Sequence, residues 1–358
     1  MKVLVAMSGG VDSSVAACLL KNEGHEVIGL SFELWDRRGL APSGVCCSIE
    51  TVELARSVAR QLGIHHITAD VRDAFYHHVI EEFCQSYCRG STPNPCILCN
   101  KYIKFDVLMR KAAELGAEFV ATGHYARIEC DDRHRADNDR RMLLKKGIDT
   151  KKDQSYVLYV MKQDELACTL FPLGTMKKAE TRRVAEGLGL ASALREESQE
   201  ICFVGEEQYS GFIRRFSPEA VNPGKILDTT GKIVGEHRGI AFYTIGQRRG
   251  LGIASPHPRY VVCIDPSRNV IVVGSRDEAM KKILKVRDIN WIGLDSLTGP
   301  VEAHVKIRST MSEAPALLRP GSSGTVIVDF QEPQWAPAPG QSAVFYGGDS
   351  VLGGGIIE

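Results

Sequence analysis

The sequence predicts an α/β fold built on a parallel sheet, followed by a small β-rich module and a C-terminal antiparallel β-barrel. Three observations carry this expectation. Over the first two hundred residues, apolar strand-like runs alternate with helical patterns, the rhythm of parallel strands joined by crossover helices. From about Asn222, Pro-Gly and Thr-Thr-Gly turns begin to separate short β-branched segments. Beyond residue 275, β-branched runs broken by Gly and Pro continue to the end, as in a compact barrel.

Taken in order, strands are expected at 2–7, 27–32, 65–69 and 118–122, with helices at 14–23, 50–62 and 102–115. In the second helix Val52, Ala55, Val58, Ala59 and Leu62 recur at helical spacing and bury one face. The central module has strand-like segments at 225–227, 232–234 and 260–264. The barrel has them at 286–292, 301–307, 323–330 and 343–346. No repeat of fixed period and no low-complexity tract interrupts the chain. The division that follows is 1–210, 211–277 and 278–358, and 358 residues is ample for two or three domains.

Composition narrows the class. Hydrophobic residues make up 44% and charged residues 25%, and no apolar run approaches the roughly 18 residues of a membrane span. The opening MKVLVAMSGG passes straight into a strand pattern, which leaves no room for a targeting leader, so a cytoplasmic location is expected. Eleven cysteines at irregular spacing do not read as a disulfide framework. The formal net charge of zero excludes a wholly basic nucleic-acid coat while leaving local basic patches open. One such patch is the stretch 133–152, rich in Arg, Lys and Asp, which fits either a solvated surface loop or a phosphate-contacting edge.

Chemistry enters at Ser8-Gly9-Gly10-Val11-Asp12-Ser13-Ser14, which ends a strand and opens a helix. Backbone N–H groups there converge on an anion with the helix dipole behind them, and the serines add hydroxyl donors. Asp12 is placed to orient Mg2+ or the helix start. No Lys follows the glycines, so the loop is not of the Walker type. A Gly-rich turn capped by Asp is the plain alternative.

Thr92-Pro93-Asn94-Pro95-Cys96-Ile97-Leu98-Cys99-Asn100-Lys101 places two thiols after a proline-stiffened turn, ahead of the helix expected near Tyr102. A thiolate at a helix start gains from the dipole and from Lys101 and Lys104, which makes Cys99 a candidate nucleophile. Cys202, in Ser198-Gln199-Glu200-Ile201-Cys202-Phe203, sits in a strand-like segment and alone reads as core.

SGGVDSS resembles the signature of the ATP-pyrophosphatase (PP-loop) superfamily, which cleaves ATP to AMP and pyrophosphate while adenylating a substrate oxygen. Six further segments run in the same order as in the tRNA-specific 2-thiouridylases: TPNPCILCNKYIKF at 92–105, ATGHYAR at 121–127, KDQSYVL at 152–158, ICFVG at 201–205, YTIGQRRGLGI at 243–253 and GQSAVFYGGDSVLGGGII at 340–357. The resemblance spans nearly the whole chain. It implies a Rossmann-like PP-loop ATPase domain, with Cys99 as nucleophile and Cys202 as carrier of a persulfide sulfur. The pair would end each turnover as a disulfide. ATP would lie against Ala6, Met7, Ser8, Gly9, Gly10, Val11, Asp12, Ser13, Phe32 and Gly123, while Asn94, Pro95 and Cys96 surround the target base. Lys152, Asp153, Gln154, Arg308 and Ser309 would touch tRNA.

The activity implied is 2-thiolation of the wobble uridine, position 34, with ATP and Mg2+ as cofactors, and with a cysteine desulfurase or sulfur-relay protein as donor. Two departures stand out: Cys96 occupies a position that is commonly Asp in this family, and Ser309 one that is usually aromatic. Three soft ligands at Cys96, Cys99 and Cys202 would also suit a [4Fe–4S] cluster, and Cys84, Cys88, Cys96 and Cys99 a zinc ion. A PP-loop ligase with an amine nucleophile is the alternative enzyme, and a metal-bearing tRNA-binding module without turnover the alternative of another class.

Overall fold

Val3, Leu4 and Val5 are fully buried, so the first strand, Lys2–Ala6, is covered on both faces, as the centre of a parallel sheet must be. Each such side chain contributes about 1.5–3 kcal/mol by leaving water. In the computed structural model, which describes residues 1–34, 49–131, 141–193, 201–204 and 209–358, this strand lies between Glu26–Glu33 and Phe119–Ala121. His65–Asp70 and the two-residue Thr169–Leu170 complete a five-stranded, all-parallel sheet. On one face Leu4, Ile28 and Leu30 pack against Phe75, Val79, Phe83 and Ile103. On the other, Val3, Val5 and Met7 meet the helices Val11–Asn22 and Ile49–Leu62 through Val15, Ala16, Ala55 and Val58.

The central sheet runs in the order Tyr260–Asp265, Val270–Gly274, Gly224–Asp228, Ile233–His237, with the middle pair parallel. The C-terminal barrel is antiparallel. Its six strands are Met280–Trp291, Val326–Trp335, Ala314–Pro320, Val301–Lys306, Ser342–Gly347 and Ser350–Ile357, and the last pairs with the first, Ile357 beside Val286. Closure leaves no unpaired edge within the barrel.

Three expectations are corrected. Cys99 does not precede a helix: the chain turns helical at Pro95–Cys99, widens by one residue per turn over Asn100–Lys104 and continues as Phe105–Leu115, so Cys99 lies a full turn inside. Gly116, at φ +63°, then ends that helix. Cys202 lies in a turn rather than a strand. In the polar stretch, residues 132–140 fall outside the described residues, and Met142–Lys146 is a strand paired with Ala126–Cys130. Lys145 pairs with Ser350, so this hairpin extends the barrel sheet from within the N-terminal part of the chain. Lys145 and Lys146 are held by Glu129, Asp349 and Glu313, which favours a structural role over a phosphate edge for those two.

A short strap between the barrel strands, residues 336–341, and the strand start at Ser342 tie the parts together. Thr92 N–H donates to Pro339 O at 2.7 Å, and Gln341 Nε2 donates to Thr92 O at 3.1 Å. Tyr156 Oη–H donates to Ser342 O at 2.8 Å. Arg308 Nη2 donates to Ala336 O at 2.6 Å and to Ile245 O at 3.3 Å, which links barrel and central module. The turn leading to Cys96 is thus held by the C-terminal barrel.

Candidate active site

The helix Val11–Asn22 begins at Gly10 with no side-chain cap, so its first N–H groups have no side-chain acceptor and face the end of the first strand. Ser8 N–H donates to Ser13 Oγ at 3.1 Å, and the Ser13 and Ser14 hydroxyls donate to Gly10 O at 3.1 and 2.9 Å, which locks the turn. Gly9 has φ +72°, and a Cβ there would lie 2.3 Å from Thr51 O, so only glycine fits. The result is an uncapped, dipole-backed cradle of the kind that binds phosphate.

This cradle forms one wall of a cavity of about 330 Å3 on the carboxyl edge of the sheet, where open α/β folds bind ligands. Of the loop residues Ala6, Met7, Ser8, Asp12 and Ser13 line it, with Phe32 at the end of its strand; Gly9, Gly10 and Val11 shape the turn behind. Gly123 lines it too. A Cβ on Gly123 would stand 2.7 Å from both Asp12 C and Ser13 N, so the end of the Phe119–Ala121 strand abuts the loop backbone. Opposite lie Pro95, Cys96 and Cys99 from the helix start, and Ile201, Cys202 and Phe203 from the turn. Cys99 is buried and Cys202 half-buried, and the disulfide expected at the end of a turnover is not formed in this structure. The two sequence-distant cysteine segments and the phosphate loop therefore share one cavity.

Asn94 does not line the cavity; it caps the cysteine helix, its Oδ1 accepting from Cys96 N at 3.2 Å. Cys96 is therefore the thiol at the helix start. Gln154 lines the cavity and its Oε1 accepts from Tyr125 N at 3.0 Å. Asp153 secures the backbone of Gly147 and Ser155, and Lys152 N–H donates to Asp149 O. Arg308 and Ser309 lie away from the cavity, the first half-buried on two carbonyls and the second exposed. Cys96, Cys99 and Cys202 line one space, yet among the described residues no three His, Cys, Asp or Glu side chains are gathered to hold a metal. Neither the cluster nor the zinc ligand set is assembled.

Phe75 and Val79 line the cavity with no signal in the sequence, and Lys104, expected to favour the Cys99 thiolate, lines it as well. His124, next to Gly123 at the end of its strand, lines it too, and Thr122 Oγ1 meets its ring at 2.6 Å. Burial, aided by Lys104, holds the His124 imidazole well below its ordinary pKa, so it is neutral near pH 7. Asp12 is paired with buried Lys178, whose Nζ lies 2.7 and 2.8 Å from its two carboxylate oxygens, and Tyr125 Oη–H donates to Oδ1 at 2.8 Å. Nothing in the sequence signals that pairing, because Lys178 is 166 residues from Asp12.

A five-stranded parallel sheet bearing an uncapped phosphate loop, with two cysteine segments facing it, defines an ATP-using α/β enzyme of the PP-loop kind. The sequence matches the family model described as tRNA methyl transferase HUP domain over residues 1–206, the tRNA methyl transferase PRC-barrel domain over 210–275 and the aminomethyltransferase beta-barrel domain over 281–357. A tRNA-specific 2-thiouridylase MnmA 2 of Caldanaerobacter subterraneus is 49% identical over 360 residues, covering 100% of this chain and 98% of its own. The tRNA-specific 2-thiouridylase MnmA of Acetivibrio thermocellus is 46% identical, covering 100% and 99%, and that of Symbiobacterium thermophilum 46%, covering 100% and 92%. The chain belongs to the tRNA-specific 2-thiouridylase family.

Proposed function

We propose that this protein uses ATP to convert uridine 34 of tRNA to 2-thiouridine, with Cys99 and Cys202 carrying the sulfur. The observation that supports this most is the shared cavity: a phosphate loop alone serves many ligases, but Cys99 and Cys202 facing it supply thiols where an activated base would sit. It also favours sulfur transfer over the methyl transfer in the domain descriptions and over an amine ligase, neither of which requires two thiols beside a phosphate cradle.

The C2 carbonyl of uracil is a poor electrophile. Its oxygen attacks the α-phosphorus of ATP, pyrophosphate departs, and AMP becomes the leaving group at C2. The N–H groups at the helix start and the Ser8 hydroxyl hold the phosphates, while Ser13 keeps the turn in shape through Gly10 O. Asp12 would hold the Mg2+ that accompanies ATP, and the ion would supply positive charge beside the phosphates. A persulfide on Cys202 then supplies sulfur: either its terminal sulfur attacks C2 while Cys99 takes the inner sulfur, or Cys99 first releases hydrosulfide, which attacks C2. In both cases AMP leaves, the transferred sulfur is reduced, and Cys99 and Cys202 are oxidised to a disulfide that an external thiol reopens. Cys96, at the helix start, stands where it can exchange a proton with the base, as an acid residue would.

The base must leave the anticodon stack to reach this cavity. Asn94, Pro95 and Cys96 are assigned to its rim, and Lys152, Asp153, Gln154, Arg308 and Ser309 to tRNA. The three units are 1–210, 211–277 and 278–358, the setting is cytoplasmic, and a cysteine desulfurase or relay protein loads Cys202. Nucleoside mass spectrometry of unmodified tRNA incubated with protein, Mg-ATP and a sulfide source tests the reading. New 2-thiouridine that disappears in Cys99→Ser supports it; no product from the wild type under aerobic and anaerobic conditions favours the amine-ligase alternative.

A further inference from the structure

The phosphate loop contains no basic residue, yet adenylation expels a pyrophosphate whose negative charge grows as the bond breaks. A loop of this kind needs cations from elsewhere: Lys104 lines the same cavity, and Lys178 stands on Asp12 of the loop itself. Asp12, moreover, lines the cavity and would repel a triphosphate if its charge stood alone. The charge is balanced from a distant part of the chain. Lys178 is 8% exposed, and its Nζ bridges both Asp12 oxygens at 2.7 and 2.8 Å. Its backbone N–H donates to Asp149 Oδ2 at 2.9 Å, which fixes the root of the side chain at the first turn of the helix Lys178–Gly187. Tyr125 Oη–H also donates to Asp12 Oδ1, so the carboxylate keeps a donor if the ammonium moves.

We propose that Lys178 is an ATP-phosphate-binding cation of this site, held on Asp12 while the loop is empty and shifting onto the β- and γ-phosphate oxygens when the nucleotide enters. The proposal rests on the reading of the cavity as an ATP site. Asp12 itself lines the cavity, so the ammonium it holds stands next to the cavity wall. A compact, strongly hydrated ammonium on a flexible stem suits such a transfer. Asp12 is left to Tyr125 and to the Mg2+ that accompanies ATP, so no charge is buried without a partner at either stage.

The test compares two ligands by calorimetry: α,β-methylene-ATP with Mg2+, which carries the β- and γ-phosphates, and AMP, which lacks them. Lys178→Gln, which can still donate to Asp12, is expected to weaken the ATP analogue about 10- to 100-fold, the loss of one charge-assisted hydrogen bond, while changing AMP less than about threefold. Lys178→Arg is expected to recover most of the loss, and it remains informative if the Gln variant does not fold. Equal weakening of both ligands, or no weakening of the analogue, would overturn the proposal and leave Lys178 as a structural partner of Asp12. Failure of the wild type to bind the ATP analogue would instead overturn the ATP reading itself.

Discussion

Gly123→Ala probes how tightly the cradle is built. The added Cβ would lie 2.7 Å from Asp12 C and Ser13 N, and both contacts are backbone atoms that cannot rotate aside. Restoring an ordinary separation of about 3.4 Å or more requires the loop or the strand end to retreat by roughly 0.7 Å, at the point where N–H groups must meet phosphate. Overpacking of this kind costs about 1–3 kcal/mol of stability. A displacement approaching 1 Å in a positioning element lowers turnover by up to about a hundredfold. The expected outcome is a fall of about 10- to 100-fold in kcat/KM for ATP, read as pyrophosphate release in the presence of tRNA, with the melting temperature lowered by a few degrees. Gly187→Ala is the control: nothing lies within 4 Å of its Cβ position and it sits in a helix, so stability should rise by about 0.4–1 kcal/mol with activity unchanged. A Gly123→Ala enzyme with wild-type kcat/KM would refute the claim that this contact sets the loop.

Further outcomes follow from the same geometry. Burial depresses the His124 pKa below that of the unfolded chain, so the unfolded state binds the extra proton and stability falls as pH drops below about 6.5, by up to about 1.4 kcal/mol per pH unit. Urea titrations from pH 7 to 5 should show a flatter slope in His124→Asn; equal slopes would refute the assignment. Asn94→Ala removes the cap of the cysteine helix and should cost about 1 kcal/mol, measured by chemical denaturation. Gln341→Ala releases Thr92 O from the barrel strap and should slow single-turnover thiolation while leaving the dissociation constant for ATP unchanged; a parallel loss of ATP binding would contradict that separation.

How much of this was legible in the sequence depended on whether a feature was local. Ser8–Ser14 is contiguous, and strand, loop and helix follow one another without long-range help, so both its shape and its anion-binding character could be read directly. The barrel was legible because β-branched runs between Gly and Pro breaks specify strands, although not that Ile357 would pair with Val286 and close it. Cys99 was misread because Pro95, an excellent first helical residue capped by Asn94, starts the helix earlier than the apolar spacing suggests. The strand Met142–Lys146 reads in the sequence as part of a solvated loop or a phosphate-contacting edge, because the acids that hold Lys145 and Lys146, Asp349 and Glu313, lie far along the chain. Lys178, Tyr125 and Gln341 were invisible for the same reason: each acts on a residue more than a hundred positions away.

The central claim is that the oxygen displaced from uracil C2 leaves on AMP, in the same cavity where Cys99 and Cys202 deliver sulfur. It is tested most directly with tRNA carrying 18O at O2 of uridine 34, a single turnover with persulfide-loaded protein, and mass spectrometry of the AMP. The account predicts one 18O in AMP for each 2-thiouridine formed, and none from Cys99→Ser. Unlabelled AMP accompanying 2-thiouridine would contradict it.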